Sequence, residues 1–505
     1  MLEVKEEYIL KQLDQKWVKD DTFVPIKSYP FNMPKTFKDE LLKIKGVKLS
    51  SNHMTARKYP GEDLYANITG YVQLINEKQL KEKEKDGYKA NDFIGCQGIE
   101  KSMETKLKGT KGYTLYAKGE EKGDKRVIAK LSVKNGNDIT LTIDPHLQEV
   151  CYMAMGDHKG SIVALQPKTG EVLAMLSRPS FDPNLFPTGI SNSKWEELSK
   201  DENYPFINRC TSLYSPGSTF KPFTAFMALD KGVITPDTVA EEAENEEWYP
   251  SPEEWPQYAV RRVPHPAGPV NLRNALVWSD NIYFGWTALK LTGPVIEDYS
   301  KKIGFKEELP FAIPVQKSHI KKGSSPWAEP LVADTGYGQG EVQISPLQLA
   351  SMYTAFVNGG DMMLPQLIMG AEPKPWIKDA IPDDIAKKTS DILIDVVKDN
   401  SGTAHSLEIP DISLAAKTGT AQLGKQKDEE REIAWVVAYT TQSDNPLLVC
   451  ITLEVPEGQG KEKLEMAKKI FTEYEKASAE TPTADDSIEA PIADDSNEST
   501  EKGAE

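Results

Sequence analysis

No apolar run in this 505-residue chain approaches the ~18 residues needed to cross a bilayer; even Ile433 to Tyr439, among the longest, falls well short. The first turns of sequence carry Glu3, Lys5, Glu6, Glu7, Lys11, Asp14, Lys16, Lys19 and Asp20, which excludes the apolar core of a signal peptide. Either the protein is cytosolic, or an export or anchor segment lies outside this sequence. Cysteine is scarce: Cys96, Cys151, Cys210 and Cys450 stand far apart without a Cys-x-x-Cys pair and read as small buried hydrophobes, not metal or redox ligands. The six histidines are scattered and form no His-Glu-x-x-His, so neither a metal nor another cofactor is expected. Basic residues are outnumbered 60 to 77, a formal charge of −17, which removes the footprint that nucleic-acid binding requires.

What is present is ordinary globular protein, 39% apolar and 27% charged. At about 150 residues per domain the length predicts two to four domains. Residues 1–135 are rich in lysine and glutamate, with strand-like runs at Tyr113–Tyr116 and Val127–Val133 and glycines at 95, 98, 109 and 112, and read as a sheet-containing accessory region. The composition changes at Asp138. Ile139–Ile143 predicts a strand, Pro145–Met155 a helix, and Ser161–Leu165 with Glu171–Ser177 a hairpin closed by Pro167–Gly170. Helical patterns follow at Phe220–Asp230, Leu272–Trp278, Ile282–Leu291, Pro346–Asn358 and Asp384–Val397, then strands at Ser413–Lys417, Ala434–Thr440 and Leu447–Glu454. Helices inserted between a first hairpin and later strands predict an α+β domain over 136–478, an antiparallel sheet flanked by helices. Residues 479–505 hold nine acids and one lysine, with Ala-Asp-Asp-Ser at both 484 and 493, and read as a solvated, disordered tail.

Three short motifs matter jointly: Ser-x-x-Lys, Ser-x-Asn and Lys-Thr-Gly, the set used by serine acyl-transfer enzymes acting on penicillin or D-alanyl peptides. Each has decoys. Ser-x-x-Lys begins at Ser191, Ser218, Ser318 and Ser499; Ser-x-Asn at Ser50, Ser279 and Ser443; Lys-Thr-Gly at Lys168 and Lys417. Ser218 follows a Pro216-Gly217 turn and opens an apolar helical pattern, whose free N–H groups and dipole favour negative charge there. Lys221 shares its helical face, and the flanking phenylalanines supply the dryness that lowers a lysine's pKa enough for it to act as a base. The plainer reading is a serine cap followed by a surface lysine. Ser191 and Ser318 sit in polar, loop-like stretches, and Ser499 lies in the tail.

Ser279-Asp280-Asn281 lies between the apolar runs Ala275–Trp278 and Ile282–Trp286, the setting of a cleft wall, although a simple helix-connecting turn reads equally well. Ser443-Asp444-Asn445 precedes Pro446 and joins two apolar strands as a loop. Lys168 closes a hairpin, whereas Lys417-Thr418-Gly419-Thr420 continues a strand. There a substrate backbone can pair alongside, Gly419 permits close approach, and Lys417 with Thr418 and Thr420 can bind a carboxylate. An edge strand with a solubilising lysine is the alternative. The surviving order is Ser218, Ser279, Lys417.

On these motifs the chain resembles the class B penicillin-binding proteins, peptidoglycan D,D-transpeptidases, and most of all their low-affinity, methicillin-resistance type. The likeness extends to Trp17–Pro25, Arg57–Pro60, Gly70–Val72, Gly95–Glu100, Tyr214–Ser218 and Tyr337–Gly340. It implies an elongated pedestal followed by a penicillin-recognising transpeptidase domain. By that resemblance Ser218 is the nucleophile, Lys221 its base, and Ser279 and Asn281 relay protons and hold substrate. Lys417, Thr418, Gly419 and Thr420 bind the substrate, and the N–H groups of Ser218 and Thr420 form the oxyanion hole. Expected partners are peptidoglycan stem peptides, β-lactam antibiotics and the cell-wall synthesis machinery. Members of the family carry an N-terminal membrane anchor, so the expected location is the extracytoplasmic face of the membrane, with the anchor outside this sequence.

Other readings are weaker. A β-lactamase would need a glutamate-positioned water, and no Glu-x-x-Leu-Asn occurs. A D,D-carboxypeptidase differs only in the acceptor, and a penicillin sensor would keep an acylatable Ser218 without turnover. Gly419–Lys425 nearly spells a phosphate-binding loop, but Gln426 stands where Ser or Thr would hold magnesium.

Overall fold

The computed structural model describes residues 4, 6–14, 18–19, 22–24, 26–27, 29, 33–50, 57–90, 92–118, 125–426 and 429–480. Within it the apolar runs of the sequence become one five-stranded sheet. Strands β1 (Gly160–Leu165) and β2 (Val172–Arg178) form the expected hairpin. Strands β3 (Ser413–Gln426), β4 (Glu429–Gln442) and β5 (Leu448–Pro456) follow some 240 residues later. Their order is β3-β4-β5-β1-β2, antiparallel throughout, so the two ends of the domain close one sheet and everything between them is inserted. Every residue of β1 is buried, because helices cover both faces. At the β5–β1 seam two buried hydroxyls, Ser161 and Thr452, pair at 2.6 Å.

Helices α1 (Pro145–Met155) and α7 (Glu462–Glu480) pack together over one face. Asp144 caps α1 by accepting from Leu147 N at 2.9 Å, with Pro145 at the first helical position, where its missing N–H costs nothing. Between them in sequence lie α2 (Lys221–Lys231), α3 (Leu272–Val277), α4 (Asn281–Leu291), α5 (Pro346–Tyr353) and α6 (Asp383–Lys398). Helix α5 packs on β5 and β1, and α6 on β3. Helix α6 buries Ile385, Thr389, Leu393, Val396 and Val397, the stripe its 3.6-residue periodicity predicts.

Several expectations need correcting. Ile139–Ile143 is extended but makes only one bridge, Leu141 to Ile368; Thr142 Oγ1 instead donates to Val172 O and Gln366 O, at 2.8 and 3.0 Å, stapling two passing segments. Strands β3 and β4 run to 14 residues each because they pair along their whole length, and Gly419–Lys425 is continuous strand. Ser318 lies in a loop, as its polar stretch suggests, but is buried there. Helix α7 was not legible in its charge-rich sequence, yet it buries Met466, Ala467, Ile470, Phe471 and Tyr474. It ends two residues inside the stretch read as tail, and 481–505 lie outside the described residues.

In the N-terminal region two small antiparallel pairs form, Val72–Leu74 with Phe93–Gly95 and Tyr113–Lys118 with Lys125–Leu131. Three of the resembling segments converge there: the Arg57 guanidinium and Tyr59 hydroxyl reach Glu100 at 3.0 and 3.2 Å, and Val72 N donates to Tyr59 OH at 2.8 Å. Trp17, Asp20, Asp21 and Pro25 of the first segment lie outside the described residues. The region meets the larger domain at Asn184, which accepts from Tyr59 N and donates to Tyr59 O, both at 2.9 Å, and at Tyr71, stacked on Phe186 at 3.7 Å.

Candidate active site

Ser218 lies on a 3-10 turn, Gly217–Phe220, that runs straight into α2; the expected α-helical first turn is tighter than an α-helix. That turn is pressed against β3. A Cβ on Gly419 would lie 2.9 Å from Pro216 O and 3.0 Å from Thr219 N, so only glycine admits this approach. The Tyr337–Gly340 segment supports it from behind: Gly217 N donates to Gly338 O at 2.9 Å, and the Gln339 amide donates to Thr420 O at 3.1 Å. Beneath the turn, Trp435 Nε1 donates to Ser215 O at 3.0 Å and Tyr353 OH to Thr219 O at 2.6 Å.

Lys221 is wholly buried, with its Nζ 5.7 Å from the centre of the Phe284 ring. It donates to Ser279 O at 2.6 Å, Asn281 Oδ1 at 2.8 Å and Ser279 Oγ at 3.3 Å. Ser279 sits at φ +60°, a left-handed kink between α3 and α4 that directs both its carbonyl and its hydroxyl toward the lysine. Asp280 caps α4 by accepting from Tyr283 N at 2.6 Å. The cap therefore fixes the helix start that carries Asn281.

Lys417 is wholly buried as well. Its Nζ donates to Ser279 Oγ at 2.8 Å and to Thr418 O at 3.1 Å, so it stands behind Ser279 and does not project into open space for a substrate carboxylate. Thr418, Gly419 and Thr420 are the cleft-lining residues of that strand, and the Thr418 hydroxyl pairs with the Thr403 hydroxyl at 2.9 Å. Burial, followed by the charge of Lys417 and opposed by Asp280, pushes the Lys221 ammonium well below the usual lysine range. Burial alone lowers Lys417 to about 7. Two adjacent lysines held away from their charged forms are the arrangement that yields a neutral amine base near neutrality.

Ser218, Ser279, Asn281, Thr418, Gly419 and Thr420 thus line one cleft of about 310 Å³, and both Lys221 and Lys417 are buried behind Ser279, to which each donates. The Ser218 hydroxyl makes no hydrogen bond among the described residues, whereas Ser279 Oγ receives both lysines. Gln339, from the resembling Tyr337–Gly340 segment, also lines the cleft; so do Thr403, Val263, Lys461 and Leu464, which carried no recognisable motif because they come from separate segments outside the three motifs. The decoys are elsewhere: Lys168 is exposed in its hairpin turn, Ser191 caps a surface helix, and Ser443 lies between β4 and β5. A larger cavity of about 730 Å³ in the N-terminal region contains none of the expected residues.

Comparison with known proteins agrees with this geometry. Residues 160–474 match the penicillin binding protein transpeptidase domain, and residues 1–141 the penicillin-binding protein dimerisation domain. Penicillin-binding protein 3 of Bacillus subtilis is 38% identical over 475 residues, covering 93% of this chain and 70% of the relative. The peptidoglycan D,D-transpeptidase MrdA of Acinetobacter baumannii is 29% identical over 466 residues, covering 86% and 68%. Among solved structures, Pseudomonas aeruginosa PBP2 in complex with WCK 5153 superposes with a TM-score of 0.70 at 29% identity, covering 83% of this chain and 90% of that one. Helicobacter pylori PBP2, in its complex with MreC, gives a TM-score of 0.74 at 25% identity, covering 88% and 83%. With the fold, the motif order and these matches in accord, the chain belongs to the class B penicillin-binding proteins and is a serine-type transpeptidase of that family.

Proposed function

We propose that Ser218 carries the acyl group and Lys221 removes its proton. A stem peptide enters the cleft beside β3 with its terminal carboxylate toward the Thr418 and Thr420 hydroxyls. Neutral Lys221 accepts the Ser218 proton as Oγ bonds to the carbonyl carbon between the two terminal D-alanines. The developing oxyanion receives the N–H groups of Ser218 and Thr420, a contribution of roughly 3 kcal/mol per donor in comparable sites. The C–N bond breaks, the proton returns to the leaving D-alanine amine through Ser279, and the acyl-enzyme remains. An amine of a second stem then attacks the ester carbonyl and loses its proton to the same base, the C–O bond to Ser218 breaks, and the base returns the proton to Ser218 Oγ, leaving a free serine and a cross-link. β-Lactams enter as mimics of the terminal dipeptide and leave Ser218 acylated. Asn281 accepts from Lys221 through Oδ1 and so holds the lysine at the edge of the cleft.

The observation that carries this reading is the buried Lys221 Nζ, bonded to Ser279 and Asn281 below the cleft that Ser218 enters. Intact-mass measurement after incubation with a fluorescent penicillin tests it. Wild type gains one adduct and Ser218→Ala none; an adduct on both proteins overturns the assignment.

We further infer a division into a pedestal (1–135), a transpeptidase domain (136–478) and a tail (479–505), supported by the ranges of the two family matches. No helix among the described residues is long and apolar enough to cross a membrane. Placement at the extracytoplasmic face of the membrane is supported by the family, and a partner in the cell-wall machinery by the MreC complex of the Helicobacter relative. Membership of the low-affinity type is tested by the rate of penicillin acylation.

A further inference from the structure

The segment from Arg261 to His265 runs along the cleft wall and holds two consecutive residues of the Ser279-Asp280-Asn281 motif. Arg261 O accepts from the Asn281 amide at 3.0 Å, and His265 Nε2 meets Asp280 Oδ2 at 3.2 Å. The His265 side chain is only 2% exposed, Asp280 is wholly buried, and the imidazole stacks on Trp278 at 4.6 Å and 14°. Its other nitrogen, Nδ1, lies 2.7 Å from Pro266 O. A carbonyl oxygen only accepts, so Nδ1 carries a proton. Asp280 as a carboxylate also only accepts, so Nε2 satisfies it only when protonated too. Both contacts are hydrogen bonds in the imidazolium alone; a neutral ring would turn a lone pair toward the carboxylate.

We propose that His265, held as an imidazolium between Pro266 O and Asp280, is a positioning residue for acylation: it fixes Asp280 at the head of α4 and cancels that carboxylate's charge as felt by Lys221. This rests on Lys221 being the base. Asp280 is the acid whose field favours the Lys221 ammonium, the form that cannot take a proton, while Lys417 opposes it. The charged groups bearing on His265 are Asp280, with which its hydrogen bond holds the ring charged, and Arg262 in its own segment, which works weakly against the charge. A cation at 265 therefore leaves Asp280 free to cap α4 without favouring the protonated form of Lys221.

The test is the pH dependence of the penicillin acylation burst in wild type, His265→Gln, Asp280→Asn and the double variant. Asparagine caps a helix as well as aspartate, so the Asp280 change removes charge and keeps the cap. In His265→Gln the acid limb moves to higher pH, and the rate below the limb falls about threefold for each half unit of movement. In the Asp280→Asn background the His265 change moves the limb no further. A uniform loss at all pH values, or an unmoved limb in His265→Gln, overturns the proposal. If His265→Gln does not fold, the imidazole resonances of the Ser218→Ala protein decide: His265 titrating above the ordinary histidine value supports it, and titration at or below that value overturns it. Adduct formation by Ser218→Ala would instead signal failure of the nucleophile assignment, a separate result.

Discussion

Gly217 faces the backbone of Thr420 so closely that a Cβ on the glycine would lie 2.3 Å from the Thr420 carbonyl oxygen. Its φ of +54° adds a second reason for glycine. The close approach sets the Ser218 turn beside the strand whose N–H the proposed oxyanion hole needs. Gly217→Ala must push the two apart. The penicillin acylation rate is expected to fall at least about 100-fold, the scale for loss of an oxyanion donor, with near-native circular dichroism. An unchanged rate would mean that the contact does not position the site.

Lys221 is a buried amine whose charge is disfavoured by its surroundings. Lys221→Met keeps the volume, removes the base, and removes the group that must be desolvated on folding. The variant is expected to lose acylation by more than about 1000-fold while unfolding at a higher temperature than wild type, a trade of stability for function. Calorimetry together with the burst assay checks both halves.

Lys417, lowered to about 7, gives a stability signature of definite sign. Between pH 7 and its unfolded value of 10.5 the unfolded chain holds a proton that the folded chain lacks, so wild-type stability rises with pH across that window. Below 7 the penalty is fully present, and above 10.5 it is gone. Lys417→Met removes it. The advantage of the variant in urea unfolding is expected to be larger at pH 7 than at pH 9.5, by on the order of 2 to 3 kcal/mol. A gap that does not change with pH would contradict the lowered value.

Asn184 joins the N-terminal region to the transpeptidase domain through its two bonds to the Tyr59 backbone. Asn184→Ala leaves a part-buried N–H and C=O without partners and is expected to cost about 1 to 3 kcal/mol. Acylation of Ser218 should be unaffected, since the junction is remote from the cleft residues. Urea unfolding and the burst assay separate the two effects.

Much of the site was legible because its parts are local. Ser218 and Lys221 share one turn, Ser279 to Asn281 one helix start, and Lys417 to Thr420 one strand, so each motif could be judged by its apolar flanks. The hairpin at β1–β2 and helix α1 followed from hydrophobic periodicity and the Pro167–Gly170 turn in the same way. The role of Lys417 was not legible. A lysine in Lys-Thr-Gly reads as a substrate ligand, but its contact with Ser279 spans 138 residues of sequence and exists only once the sheet has closed. Thr403 and His265 were missed for that reason, and α7 because its buried stripe is interrupted by charge.

The sequence by itself determined which residue types are available for acyl transfer, their order along the chain and the α+β class, since composition, periodicity and short spacings are properties of neighbouring residues. Only the tertiary structure decided that two lysines are buried behind Ser279, that glycines let a turn lean on a strand, and that a histidine meets the aspartate of the central motif. Those facts depend on burial and on contacts between distant segments, and dielectric environment is created by packing, not by adjacency in the chain.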